Sequence, residues 1–582
     1  MPHSAEVEAE DDDLHDLNAV EARADYIDED QIIAVTSMGD WFEAIHNELL
    51  TVQTVLIVGP RGCGKTHMMR YTWMKCRRSE DLPLAIYVSF NRYLRLEPWM
   101  HRRVDAMKLF NAWVLAQIVD ATLDVMEKLT GQAFNLAPDF LFDRHDLKLA
   151  YARLESHIAG DGLNDKDEEV IRDLTVPRVI DLIRRACAHA DRRRAVVLFD
   201  DAALTLTPAF MTDFFDVVRA IKQRDIAPKC SVYPGTTQYG SRFHVHQEAY
   251  VVPVWLDVGA DEYGAIMETI VQLRNPQAAA FIKPDVSRML MFAAFGVPRA
   301  YLSMMGRLLK LGKQGQPEIN KVIQALRTHQ LGEFRSIEQK LPQFKTLIQT
   351  GEIFFQRIVE AVVEEGLKRK QIENEKNWLL LFEKTEMPNL ATRMIKFLIE
   401  AGLLYEGQEV MHGGLERVYT KYTPHLSALI AARAFAGGSR GTSPAAFTEY
   451  TKRKAMHHGA RRKLTTLLKK PEIHGLRFDL PACPQCGAER LSETQKFCHE
   501  CANTLPRPST YFRLMGLPID KVPILTRWAR DRLKEQGIST IQDLMSFEDP
   551  GTELRKIHRV GPKRARRYIE IIEDHVNESL LS

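Results

Sequence analysis

The hydrophobic pattern divides the chain into regions of different period. Over residues 31–256 short apolar runs alternate with helical stretches, as in a doubly wound α/β domain. Thr54-Val-Leu-Ile-Val58, Ala85-Ile-Tyr-Val-Ser89 and Ala195-Val-Val-Leu-Phe199 read as buried strands, followed by Ser231-Val-Tyr233 and Tyr250-Val-Val-Pro-Val-Trp255. Residues 101–190 are mostly amphipathic helix and read as an insertion between strands. From 257 to 315 the period is helical, and a longer helical stretch runs to about residue 386. Residues 388–422 change character again. Asn389 stands where a helix cap is expected, and Thr392, Ile395, Leu398 and Leu403 follow at helical spacing. Gly402-Leu-Leu-Tyr405 and Val418-Tyr-Thr-Lys-Tyr422 then flank a polar tip like two wing strands.

Turn residues give the boundaries. Gly437, Gly438, Gly441 and Pro444 mark a linker, and Leu505-Pro-Arg-Pro508 marks a second joint. The expected divisions are a leader at 1–30, a core at 31–256, a helical lid at 257–315 and a helical region with the wing at 316–435. A basic linker at 436–475, a cysteine module at 476–506 and a helical C-terminus at 507–582 complete them. A chain of 582 residues suits several domains.

Charge and cysteine usage narrow the classes. The net charge of +1 hides an asymmetry. Residues 1–30 hold twelve acids against the one base Arg23, and residues 436–475 hold nine bases against two acids. The acidic leader is expected to be disordered, as a solubilising tail or a competitor for a basic surface. Its acidity excludes a secretory signal, and no apolar run reaches the roughly 18 residues of a membrane span. A cytoplasmic protein without a membrane partner is expected. Four cysteines (63, 76, 187 and 230) are scattered, and four form two CxxC pairs, which in such a chain point to metal.

Gly59-Pro-Arg61-Gly62-Cys63-Gly64-Lys65-Thr66 fits the pattern GxxxxGK[ST] between a β-branched strand and a helix beginning near His67. Glycines let backbone N–H groups wrap phosphate, and the helix N-terminus adds positive potential. ATP is the expected ligand. Gly59, Arg61, Gly62, Cys63, Gly64 and His67 would line it, Lys65 would reach the β- and γ-phosphates and Thr66 would ligate Mg2+. The strand Ala195–Phe199 runs into Asp200-Asp201. Asp200 is expected in the Mg2+ shell and Asp201 at the attacking water.

Together these two motifs resemble those of the AAA+ ATPases. Their second motif usually ends Asp-Glu; here the second acid is the shorter Asp201, which predicts slow hydrolysis or a nucleotide switch. The resemblance implies a γ-phosphate sensor in Pro234-Gly-Thr236-Thr237-Gln238, with Thr237 the first choice. It implies an arginine finger at Arg242, acting on a neighbouring copy, and a second sensor at Arg299 in Gly296-Val-Pro-Arg299. With the wing at 388–422, residues of about 20–430 resemble the origin-recognition-complex-like branch of that family. Such wings bind DNA or protein, and Arg393, Lys396, Arg417 and Lys421 do not decide between them.

Cys483-Pro-Gln-Cys486 and Cys498-His-Glu-Cys501 resemble a zinc ribbon, whose four thiolates would close a structural Zn2+ site. His499 lies inside a knuckle and is not expected to ligate. Residues 554–569 resemble a helix-hairpin-helix: Val560-Gly561-Pro562 opens a helix carrying Lys563, Arg564, Arg566 and Arg567. With Arg527–Leu544 it resembles the C-terminal domain of the bacterial RNA polymerase α subunit, which implies grip on the DNA backbone. The basic groups at 452–454, 461–463 and 469–470 would add phosphate contacts or form a solvated face.

The expected fold is therefore an α/β P-loop core of AAA+ type with a helical lid, a winged helix, a zinc ribbon and an all-α helix-hairpin-helix domain. The expected function is a slowly hydrolysing ATPase that assembles as a homo-oligomer on DNA. Mobile-element control, replication or antiviral defence are settings suggested by the family alone. A scaffold whose C-terminal modules bind protein, or a loader acting on a partner effector protein, are the alternatives. No nuclease, protease or transferase constellation is present in the C-terminal part.

Overall fold

The computed structural model describes residues 24, 27–90, 96, 105–137, 139–155, 163–201, 208–368, 375–384, 387–411, 417–435, 442–453, 455–456, 460–491, 495, 497–505, 516–522, 525–545, 547 and 550–581. Expectations for residues 1–23, the greater part of the acidic leader, lie outside them.

Five strands form one parallel sheet: β1 Val55–Val58, β2 Leu84–Ser89, β3 Ala195–Asp200, β4 Ile226–Val232 and β5 Tyr250–Pro253, in the order β2-β3-β4-β1-β5. β1, β3 and β4 are almost wholly buried, which is why they read as continuous apolar runs. β4 begins five residues before the expected Ser231. Pro228 and Lys229 disguise its first half; Lys229 is fully buried and donates to the carbonyls of Thr51 (2.9 Å) and Gln53 (2.6 Å). A carbonyl cage satisfies an ammonium that would otherwise exclude a central strand.

Residues 101–190 are the extended crossover between the paired strands β2 and β3. Their longest helix, α1 Ala106–Thr130, stops at Gly131, which is left-handed at φ 71° and returns its N–H to Glu127. It is the one described helix long and apolar enough to cross a membrane, and it is mostly buried within the protein. The end of the expected leader is folded: Ile27 and Ile32 are buried, and Glu29 pairs with Arg77 (2.6 Å) and Lys128 (2.7 Å).

After β5, where a lid is expected, come the helices α2 Tyr263–Arg274 and α3 Pro298–Leu311. Two long helices, Gln316–Lys340 and Lys345–Lys368, lead to a four-stranded sheet. Its members are β6 Leu380–Glu383, β7 Leu404–Met411, β8 Val418–Pro424 and β9 Ala460–Arg462, in the order β9-β6-β8-β7. β7 and β8, where the wing strands are expected, pair antiparallel and are preceded by α4 Asn389–Glu400. Asn389 is the first helical residue and makes no side-chain cap; Pro388 holds the cap position.

The expected basic linker is not a linker. Residues 444–452 form a helix capped by Ser443, whose Oγ accepts the Ala446 N–H. Residues 460–462 pair in parallel with β6, and Phe447, Leu464, Leu467 and Leu468 are buried. The glycines at 437, 438 and 441 lie outside the described residues. The bases here follow suit: Lys463 meets Glu383 at 3.2 Å. The apolar residues between the charges give this segment enough surface to bury.

Candidate nucleotide site

The C-terminal ends of β1, β3 and β4 meet the start of helix α5 Lys65–Arg78 at one cavity. Gly62 (φ 75°) and Gly64 (φ 105°) adopt backbone that a side chain disfavours, and this curls the loop Gly59–Thr66 around the helix start. A Cβ on Gly59 would lie 2.8 Å from the Cys63 sulfur. Cys63 is thus buried packing of the loop, and burial pushes its thiol pKa up.

Lys65 is buried and donates to the carbonyls of Gly59 (2.6 Å) and Pro60 (3.1 Å). Burial pushes its pKa down, while Cys63, Asp201 and Asp200 oppose that shift. Arg61, Gly62, Cys63, Gly64, Thr66 and His67 line the cavity with it. His67 Nε2 is 2.9 Å from Thr36 Oγ1, which joins the loop's helix to the N-terminal segment.

The two carboxylates at the end of β3 part company. Asp200 is fully buried, accepting from Tyr87 Oη (2.9 Å) and Ser231 Oγ (2.9 Å), and does not line the cavity. Asp201, left-handed at φ 53°, is on the cavity wall and has its N–H on Ser231 Oγ at 2.8 Å. Thr237 is turned back on its own loop, its Oγ1 accepting the Tyr233 N–H at 2.9 Å. The member of that loop on the cavity wall is Tyr233, which the sequence reading missed. Arg242 is exposed, 3.4 Å from Asp216, and away from its own chain's cavity. Arg299, in the first turn of α3, reaches the loop: a Cβ on Gly62 would lie 3.1 Å from the Arg299 Cβ.

The rest of the cavity wall is also new. Thr36, Trp41 and Phe42 before β1 line it together with Ile266, Ile270 and Arg274 of helix α2. These positions are far apart in sequence and follow ordinary helical spacing, so only the fold marks them. The cavity wall therefore combines cations, Arg61, Lys65, Arg274 and Arg299, with apolar groups such as Trp41, Phe42 and Ile266, the mixture a nucleotide requires.

Away from the cavity, the four cysteine sulfurs lie within 4.8 Å of one another. Cys483 and Cys501 are 3.5 Å apart, as are Cys486 and Cys498. Each knuckle closes through a left-handed residue, Gly487 (φ 74°) or Ala502 (φ 57°). Four thiolates about 2.3 Å from a shared ion would have nearly this spacing, so the residues fit Zn2+. His499 approaches Gln495 and Glu500 instead. In the C-terminal unit, helices 527–535, 541–545 and 550–555 precede Pro562–Leu581. Gly561 and Lys563 are exposed, Arg566 is exposed, and Arg564 and Arg567 are part-buried around that last helix start. Arg564 Nη1 donates to the Arg559 carbonyl at 3.2 Å.

Residues 22–221 match the family described as ORC-CDC6-like. None of the curated proteins matches the chain. Among solved structures, the Walker-type ATPase of Pyrococcus abyssi is similar at 11% identity, with a TM-score of 0.34 over 67% of this chain and 93% of that one. The ORC1 protein of Aeropyrum pernix, solved in complex with DNA, is similar at 13% identity, with a TM-score of 0.28 over 68% of this chain and 92% of that one.

Proposed function

We propose that this protein is an ATP-binding, Mg2+-dependent AAA+-type ATPase that assembles on DNA. The observation that carries the nucleotide reading is the loop Gly59–Thr66, curled at the start of α5 with Lys65, Asp201 and Arg299 converging on one cavity. The ORC-CDC6-like match over residues 22–221 supports it. Lys65 would exchange its two carbonyl partners for β- and γ-phosphate oxygens. Thr66 would hold the Mg2+ shell, and Asp200, buried behind the wall on Tyr87 and Ser231, would fix Asp201 by accepting its N–H at 3.0 Å. Asp201 would orient water, Arg299 would answer to lid position, and Arg242 would act on a neighbouring copy. The base would lie between Trp41 and α2.

DNA is assigned to the C-terminal helix start, with Gly561 and its N–H groups beside Lys563, Arg564, Arg566 and Arg567. Zn2+ would brace the knuckles without chemistry. A second reading, protein binding by the ribbon, is favoured by Leu491 and Phe497, which are 70% and 59% exposed on that small module.

Fluorescent ATP titrated onto the full chain with Mg2+ tests the first claim. Binding in the micromolar range that Lys65→Ala abolishes is expected; equal binding by both proteins would refute the site. For DNA, Lys563→Glu with Arg564→Glu should weaken duplex binding and flatten its salt dependence by about 2 in log–log slope. An unchanged slope would move the module to the protein-binding reading.

A further inference from the structure

We propose that Glu400, the last residue of α4, is a positioning residue of the nucleotide site: it holds the loop after β4 and so couples turnover to the docking of the wing. The proposal rests on the nucleotide reading above and adds its regulation.

The loop at 233–237 has two neighbours of different origin. On one side Tyr233 lies under Lys65, whose Nζ is 4.1 Å from the ring centre. On the other side Glu400 reaches across from the wing domain. Its Oε2 accepts the Gly235 N–H (2.8 Å) and the Thr236 N–H (2.8 Å), and its Oε1 accepts the Thr236 hydroxyl (2.9 Å). Three donors thus converge on one carboxylate that is 164 residues away in the chain. Position 235 has no room for a side chain, because a Cβ there would lie 2.7 Å from the Phe397 ring and 3.0 Å from its backbone nitrogen.

A second contact reinforces the first. Gly402, just beyond α4, would place a Cβ 3.6 Å from Pro60 of the phosphate loop. Arg61 of the same loop has a buried Nη2 without a partner, and its charge opposes the burial that pushes the Glu400 pKa up. The end of α4 and the turn after it therefore contact two segments that line the cavity, the phosphate loop at Pro60 and the loop that begins with Tyr233. Charge-assisted bonds in such a place are costly to break singly. The loop cannot shift on gain or loss of a γ-phosphate without carrying the wing or releasing Glu400. That gives two discrete arrangements whose balance both the nucleotide and the wing's own partner would bias.

The test uses the full chain and the variant Glu400→Gln, which keeps the shape of the side chain but removes the charge that strengthens its bonds to Gly235 and Thr236. In the wild type, hydrogen exchange over residues 389–411 should differ between ADP and a non-hydrolysable ATP analogue. In Glu400→Gln that difference should vanish and kcat should change by about fivefold or more, while KM for ATP stays within about twofold. Thr236→Val removes a single donor and should move both readouts the same way, which covers a failure of the first variant to fold. Exchange responses identical to wild type in both variants, with unchanged kcat, would overturn the proposal, as would a lowered melting point as the only effect. If neither wild type nor variant binds fluorescent ATP, the nucleotide reading falls and takes this proposal with it. Binding by both with identical responses defeats this proposal alone.

Discussion

The Lys65 ammonium sits 4.1 Å from the centre of the Tyr233 ring while its protons go to the carbonyls of Gly59 and Pro60. The lysine is thus held in a buried place by a π face and two carbonyl dipoles; a phosphate oxygen would replace the carbonyls and leave the ring contact in place. A desolvated cation–π contact contributes about 2 kcal/mol, or roughly thirtyfold in a binding constant. Tyr233→Phe keeps the face and should bind fluorescent ATP within about twofold of wild type. Tyr233→Ala should weaken binding by about tenfold or more; an unchanged dissociation constant would show that the ring does not aim the lysine.

Asp201, on the cavity wall, is expected to carry turnover without carrying affinity. Asp201→Asn should lower kcat by about 100-fold with ATP affinity retained, since a positioned base contributes about that much or more. Asp201→Glu restores the reach that the shorter acid lacks and should raise kcat. If purified wild type hydrolyses ATP rapidly and Asp201→Glu does not exceed it, side-chain length is not the limit.

Stability should fall as pH drops through the histidine range. His46 is pushed down to about 4 and His425 to about 3, both first by burial. The unfolded chain takes up these protons near pH 6.5, well before the folded chain does. The melting point should therefore be level above about pH 7 and decline from about 6.5 toward 4. Asp213 opposes this: burial and then Asp216 push it up to about 6, so its contribution grows as pH falls from 6 toward its ordinary value. Asp213→Asn should steepen the decline. Thermal melts from pH 8 to 4.5 that stay level would contradict the assignment.

One zinc per chain is expected at the four sulfurs. Cys483 has its thiol pulled down to about 6, first by the Cys486 N–H, which readies it as a thiolate. Dye-detected release on thiol modification should give about one equivalent of zinc, and Cys486→Ser with Cys498→Ser should abolish it. ATP binding should be unaffected, because the knuckles contribute nothing to the nucleotide cavity. Absence of zinc from protein purified without chelator would refute the site.

Local chemistry was easier to read than spatial convergence. The loop Gly59–Thr66, the acids at the end of β3 and the cysteine pairs each carry their signal in adjacent residues. Arg299 was found because its Gly-x-x-Arg setting is also local. Tyr233, Trp41 and Arg274 carry no such signal, since each looks like an ordinary residue until the fold brings them to one cavity. Lys229 misled in the opposite way: a cation in a central strand reads as a strand end unless its four acceptors are known. The bases at 461–463 suggested a solvated linker, whereas Ala460, Leu464 and Leu467 beside them are core. Charge count outweighed apolar spacing in that reading, and burial reversed the order.

The returning strand β9 sets where this chain can be divided. Beyond it, Asp479 still binds the Thr346 N–H (2.6 Å) and hydroxyl (2.8 Å), so the fold remains sewn to its central helices up to that residue. A protein cut at 436 would lose the edge of its wing sheet and the plug at Phe447, and should emerge insoluble. One cut between Asp479 and Cys483 would keep those ties but lose the helix Pro562–Leu581, which packs against the long helix Gln316–Lys340, and the C-terminal residues that share the apolar core of the five-stranded sheet. That short interval therefore parts the chain but not its apolar core, and exchanging everything downstream would uncover surface that the nucleotide-binding half now buries.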